Sequence, residues 1–111
     1  MNNNLLPFVT GSRAYGTPNE DSDLDVVMLV PCDLMMTLWG LNTSKALRYG
    51  RMNIIALNAS NPDDCAKFEV WRRVTNELIA ERPVSRDAAI ARFAQNGIEP
   101  HDYPEDKDSQ Q

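Results

Sequence analysis

The residue types that handle phosphates and metal ions crowd into "GSRAYGTPNEDSDLDVV", residues 11 to 27: two glycines, two serines and four carboxylates. Asp21, Asp23 and Asp25 alternate with other residues as the chain enters an apolar run. Three chemistries fit acids and glycines in this order. The first, a phosphate-cradling P-loop, needs Lys-Ser/Thr after the second glycine to compensate phosphate charge. Here Thr17-Pro18 follows Gly16, so that reading fails. The second, a twelve-residue calcium loop starting at Asp21, needs a turning glycine at its sixth position and a bidentate glutamate at its twelfth. Val26 and Cys32 stand there instead. The third is a two-carboxylate metal site beside a glycine–serine turn. In an extended strand the side chains at i and i+2 share a face, which puts Asp23 and Asp25 together, roughly 7 Å apart at Cα. Like charges that close to an apolar strand are costly unless a cation or a polar network compensates them. Asp21 falls before the strand, as a turn or capping residue. Gly11 permits close backbone approach to an anion, Ser12 adds a hydroxyl, and "RAYG" can form one helical turn whose N–H groups face it.

The elements that would hold this site follow from patterning. "LLPFV" (5–9) reads as a short strand and "DLDVVMLV" (23–30), apolar and β-branched, as a buried one. "PCDLMMTLWG" (31–40) has apolar residues at helical spacing, and after an interruption near Gly40 a second helical piece is expected to about Tyr49. "RMNIIALN" (51–58) is a further strand. The stretch 64–82 is a helix with Ala66, Phe68, Trp71, Val74 and Leu78 along one broad face, stopped by Pro83. Ser85 caps a last helix that Gly97 ends. Strand, loop, strand, helix, strand, helix, helix makes a small α/β (α+β) fold: a small mixed sheet with helices packed on it.

The 111 residues suit one domain, with 42% hydrophobic and 24% charged residues. We expect the domain over 1–97 and an acidic tail over 98–111. In that tail five acids oppose Lys107, leaving only −1 of the total charge of −5 to the rest of the chain. Such a body argues against broad non-specific nucleic-acid binding, which needs a basic surface. "MNNNLLPFV" lacks the form of a signal peptide, no run is long enough to cross a bilayer, and Cys32 and Cys65 have no metal or redox spacing, so a cytoplasmic protein with reduced thiols is expected. His101, the only histidine, lies in the tail, so no Ser–His–Asp or Cys–His arrangement can be assembled around a core histidine.

The stretch "GSRAYGTPNEDSDLDVVML" resembles the signature of the polymerase-β-type nucleotidyltransferases, above all the small single-domain bacterial and phage members: an apolar strand, Gly-Ser, about ten residues, then Asp-x-Asp in a second apolar strand. Gly11, Ser12, Ala14, Gly16, Ser22, Asp23 and Asp25 match it, and the order of elements extends the likeness to about residue 82. The resemblance implies transfer of a nucleoside monophosphate from a nucleoside triphosphate to a hydroxyl acceptor: a protein, an RNA end or a small molecule. It implies Mg²⁺ or Mn²⁺ on Asp23 and Asp25, and phosphate held by Gly11 and Ser12 with Arg13 and Ser22. No separate acceptor-binding domain fits in the chain, so a partner chain or a second copy could supply one.

One position departs from that pattern. Members of this family usually carry a third carboxylate on a later strand, and here that position is Asn53, whose amide is neither charged nor a base. Asp63, Asp64 or Glu69 could stand in for it. The competing reading is a non-catalytic, antitoxin-like or partner-binding module of the same fold. Arg13, Lys45, Arg48 and Arg51 could line the phosphates; Lys45 and Arg48 read as surface charges, and Arg13 is open between the two roles. Tyr15 and Trp39 could stack on a base but read as core, as does Trp71.

Overall fold

A computed structural model describes residues 7–19, 22–40 and 42–99. Its elements are β1 (Phe8–Thr10), α1 (Ser12–Tyr15), β2 (Leu24–Val30), α2 (Cys32–Trp39), β3 (Lys45–Tyr49), β4 (Met52–Asn58), α3 (Pro62–Glu81) and α4 (Arg86–Gln95). The four strands form one sheet in the order β1-β2-β4-β3. β2 and β4 run parallel at its centre, and β1 and β3 flank them antiparallel. The sheet is mixed, as expected, and the fold is α+β. Asp21 and His101 lie outside the described residues, as do 100–111 of the expected tail.

One element differs in kind from its expectation. The stretch before Tyr49 is a strand, not a second helical piece. Ala46, Leu47 and Arg48 favour helix when taken alone. Gly50, at φ 61°, lets the chain reverse over Gly50 and Arg51, with Tyr49 paired to Met52 across the turn. A glycine at positive φ in the first loop position is the signature of a two-residue type II′ hairpin. The ladder to β4 then outweighs local propensity, which is a weak prior.

The strands alternate between two faces. Val27, Ile55 and Leu57 face α3 and α4, where Phe68, Trp71, Val74, Leu78, Ala89 and Phe93 complete the main core. Trp71 and Phe93 stack with centroids 4.7 Å apart. Val30 and Ala56 face the other way, onto Met35 of α2, with Trp39 packed at the edge. Tyr15 and Trp71 are core residues, as read, and Trp39 is half-buried. α3 starts at the cap Asn61, whose side chain accepts from the Asp63 N–H, with Pro62 in its first turn. Ile98, expected at the head of the tail, is buried in the main core.

Candidate active site

The register of the ladders builds the site. Thr10 pairs with Asp25, Asp25 with Asn53, and Asn53 with Arg48. Paired residues in a sheet share a face, so one row of four polar residues crosses all four strands. It lies on the face that carries the main core, one step from the apolar row Phe8, Val27, Ile55 and Ala46. Asp23 precedes β2 and projects to the same side as Asp25.

The side chains along this row are joined. Asn53 Nδ2 donates to Asp25 Oδ1 at 2.9 Å and lies 3.5 Å from Asp23 Oδ2. Arg48 Nη1 donates to Asn53 Oδ1 at 2.7 Å and to Asp23 Oδ2 at 3.1 Å. The partners fix the amide's orientation, because guanidinium can only donate and carboxylate only accept. At the far end Thr10 and Thr75 share a buried 2.8 Å hydroxyl hydrogen bond that ties the row to α3.

Burial raises Asp25 above the usual carboxylate range. The Asn53 hydrogen bond opposes that shift, Asp23 adds repulsion, and the charges of Arg48 and Arg86 favour ionisation. Arg86, exposed at the start of α4, reaches this neighbourhood because the Val84 N–H donates to Tyr15 O at 2.8 Å, docking the chain before α4 against α1.

Gly11 sets the distance between turn and acids. Its φ of 77° disfavours any side chain, and a Cβ there would stand 2.1 Å from Asp25 Oδ2. The Gly11 carbonyl accepts from the Ala14 and Tyr15 N–H groups, which winds α1. Ser12 is exposed, and its hydroxyl has no hydrogen-bond partner among the described residues. Arg13 and Ser22 shape the intervening loop. Arg13 donates to Ser22 O from Nε at 3.1 Å and from Nη2 at 2.8 Å, and Ser22 Oγ accepts from the Asn19 N–H at 2.9 Å.

Other residues fall elsewhere. Asp64 accepts from the Asn58 N–H. Asn58 lies five residues along β4 from Asn53, roughly 16 Å away. Asp63 sits in the same first turn of α3, and Glu69 pairs with Arg72 on the exposed side of that helix. None of the three joins the row. Lys45 shares a face with Leu47, which packs towards Met35, away from the acids. Arg48, read from sequence as a surface charge, instead joins this row through Asp23 and Asn53, with a side chain only 13% exposed.

A family model for the nucleotidyltransferase domain matches residues 4–82. The chain belongs to that family. Comparison with curated proteins and with solved structures returns no match. The matched span of the nucleotidyltransferase domain contains the Gly11–Ser12 turn, both aspartates, Asn53 and Arg48, and ends with α3. Arg86 and α4 lie beyond it. Among the described residues no group of three or more His, Cys, Asp or Glu side chains converges, and no helix is long and apolar enough to cross a membrane.

Proposed function

We propose that this nucleotidyltransferase domain moves a nucleoside monophosphate from a nucleoside triphosphate to a hydroxyl acceptor at the Asp23–Asp25 site. The observation that carries this reading is the contact between the turn and the acid: the Gly11 backbone lies against Asp25 so closely that no side chain fits between them. A phosphate at the Ser12 hydroxyl would therefore meet whatever the carboxylates hold.

The residues fit one divalent cation, Mg²⁺ or Mn²⁺. Two carboxylates converge on a common point, Asn53 Nδ2, with phosphate oxygens and water left to complete the shell. When bound, the ion neutralises charge developing on the phosphates and orients the leaving group. Asp23 and Asp25 hold it, Gly11 and Ser12 receive the phosphates, and Arg13 with Ser22 keeps the loop in shape. Arg48 and Arg86 add positive charge. In the transfer, the acceptor oxygen bonds to the α-phosphorus, the bond from that phosphorus to the bridging oxygen breaks, and pyrophosphate leaves. Asn53 is no base, so the hydroxyl proton goes to solvent.

One observation favours a second reading, a module that binds without turnover: Asp23 and Asp25 already have partners in Arg48 and Asn53. Incubation with each α-labelled triphosphate and Mg²⁺ or Mn²⁺, alone and with cell extract, separates the two. Transfer predicts pyrophosphate release and a labelled acceptor, both lost in Asp25→Ala. Nucleotide binding with no release under any condition would favour the binding module.

A further inference from the structure

The cation already built into the row has a consequence for metal count. Arg48 Nη1 lies between Asp23 Oδ2 and Asn53 Oδ1, at 3.1 and 2.7 Å, and Nη2 lies 3.5 Å from Asp23 Oδ1. A cation bridging those two oxygens would occupy the same place. We propose that Arg48, held by Asn53, permanently fills the position of a second metal ion, so that the site takes a single divalent cation; this rests on the metal–nucleotide reading of Asp23 and Asp25.

Charge and geometry agree on this. A carboxylate at position 53 would bring three acids together, and a second divalent ion would offset it with one positive charge to spare. An amide at 53 with a guanidinium beside it adds the same single positive charge. The amide is also the right connector: Oδ1 accepts from Arg48 while Nδ2 donates to Asp25, so one side chain links the fixed cation to Asp25. Position 48 is opposite position 53 in the β3–β4 ladder, so the backbone register sets Arg48 beside Asn53, within reach of both Asn53 Oδ1 and Asp23. Arg48 is thus a positioning residue for Asp23 and a charge for the phosphates, delivered by the backbone register rather than by the metal concentration.

The test is a count of bound ions. Wild type, Arg48→Met, Asn53→Asp and the double variant are titrated with MnCl₂ in the presence of saturating α,β-methylene analogues of the four ribonucleoside triphosphates. Free Mn²⁺ is read by electron paramagnetic resonance, after subtraction of the nucleotide-only titration, and folding is checked by circular dichroism. The expected counts are one ion per chain in wild type and in each single variant, and two in the double variant. Two ions in wild type would overturn the proposal, whatever the variants do. So would a single ion in a folded double variant. No ion in wild type with any analogue would instead overturn the metal–nucleotide reading itself, and the proposal with it. Mn²⁺–Mn²⁺ spin coupling in the double variant, absent from wild type, would place the second ion beside the first.

Discussion

Two neighbouring rows cross the same face of the sheet. Phe8, Val27, Ile55 and Ala46 form one, and Thr10, Asp25, Asn53 and Arg48 the other. In the first, Val27 and Ile55 sit in the main core with the residues of α3 and α4, Val27 fully buried, Phe8 packs against it, and Ala46 at the far edge is exposed. The second begins at the buried Thr10–Thr75 contact and opens towards the Gly11 turn. The difference between them is one of displacement by two residues along the strands. Within that step the sheet changes from a surface that stabilises the fold by excluding water to one that gathers charge. Replacing Val27 in the apolar row, or breaking the buried Thr10–Thr75 contact, should therefore damage stability, and replacing the polar row's Asp25 should damage chemistry.

The largest effect is expected at Asp25. Loss of a metal-holding carboxylate removes several kcal/mol of transition-state stabilisation, and about 4 kcal/mol is roughly a 10³-fold fall in rate. Transfer assays on Asp25→Ala with unchanged circular dichroism check this. Gly11→Ala comes next. It drives a methyl group into Asp25 and forces alanine to a positive φ, so the turn and acid must separate. A displacement near 1 Å costs about 10²-fold in rate, seen as a lower kcat in a protein that still melts cooperatively. A comparable loss in stability with normal kcat would show that the turn serves the fold alone.

In the apolar row, Val27→Ala should cost about 2 kcal/mol of stability, read by urea titration, with nucleotide binding unchanged where the protein is folded. Thr75→Val, which leaves the Thr10 hydroxyl buried without its partner, should cost about 1 kcal/mol. The smallest effect is a pH dependence. Asp25 is raised chiefly by burial, so the unfolded chain gives up this proton at lower pH than the folded one. Ionised Asp25 therefore destabilises the ion-free fold at neutral pH. That cost fades as pH falls through the raised folded value towards the unfolded one near about 4. Asp25→Asn should accordingly raise the melting temperature of the ion-free protein at pH 7, by an increment that shrinks on acidification.

The two rows differ in how far the sequence discloses them. Asp23 and Asp25 were legible because strand alternation is local: two residues along the chain are enough to place both on one face. The Gly11 turn was legible for the same reason, and so was the body of α3 from its apolar stripe, although the helix starts at the Asn61 cap and Pro62, two residues before the expected 64. Arg48 was not, because its role depends on which residue of another strand it meets. That register is set by the Gly50–Arg51 hairpin, and a glycine-led pair between two apolar runs was the one available signal. Reading that pair as a turn also converts the expected helical piece into β3. Arg86 has no local signal, since the docking of the segment before α4 on Tyr15 brings it near Asp25.

The central claim is that the polar row receives a metal-bound triphosphate. Anomalous scattering from crystals grown with MnCl₂ and an α,β-methylene triphosphate tests it most directly. One manganese peak should lie within coordination distance of both Asp23 and Asp25, with phosphate at Ser12. Nucleotide bound elsewhere, or bound while both carboxylates stay closed on Arg48 and Asn53 with no manganese between them, would contradict it.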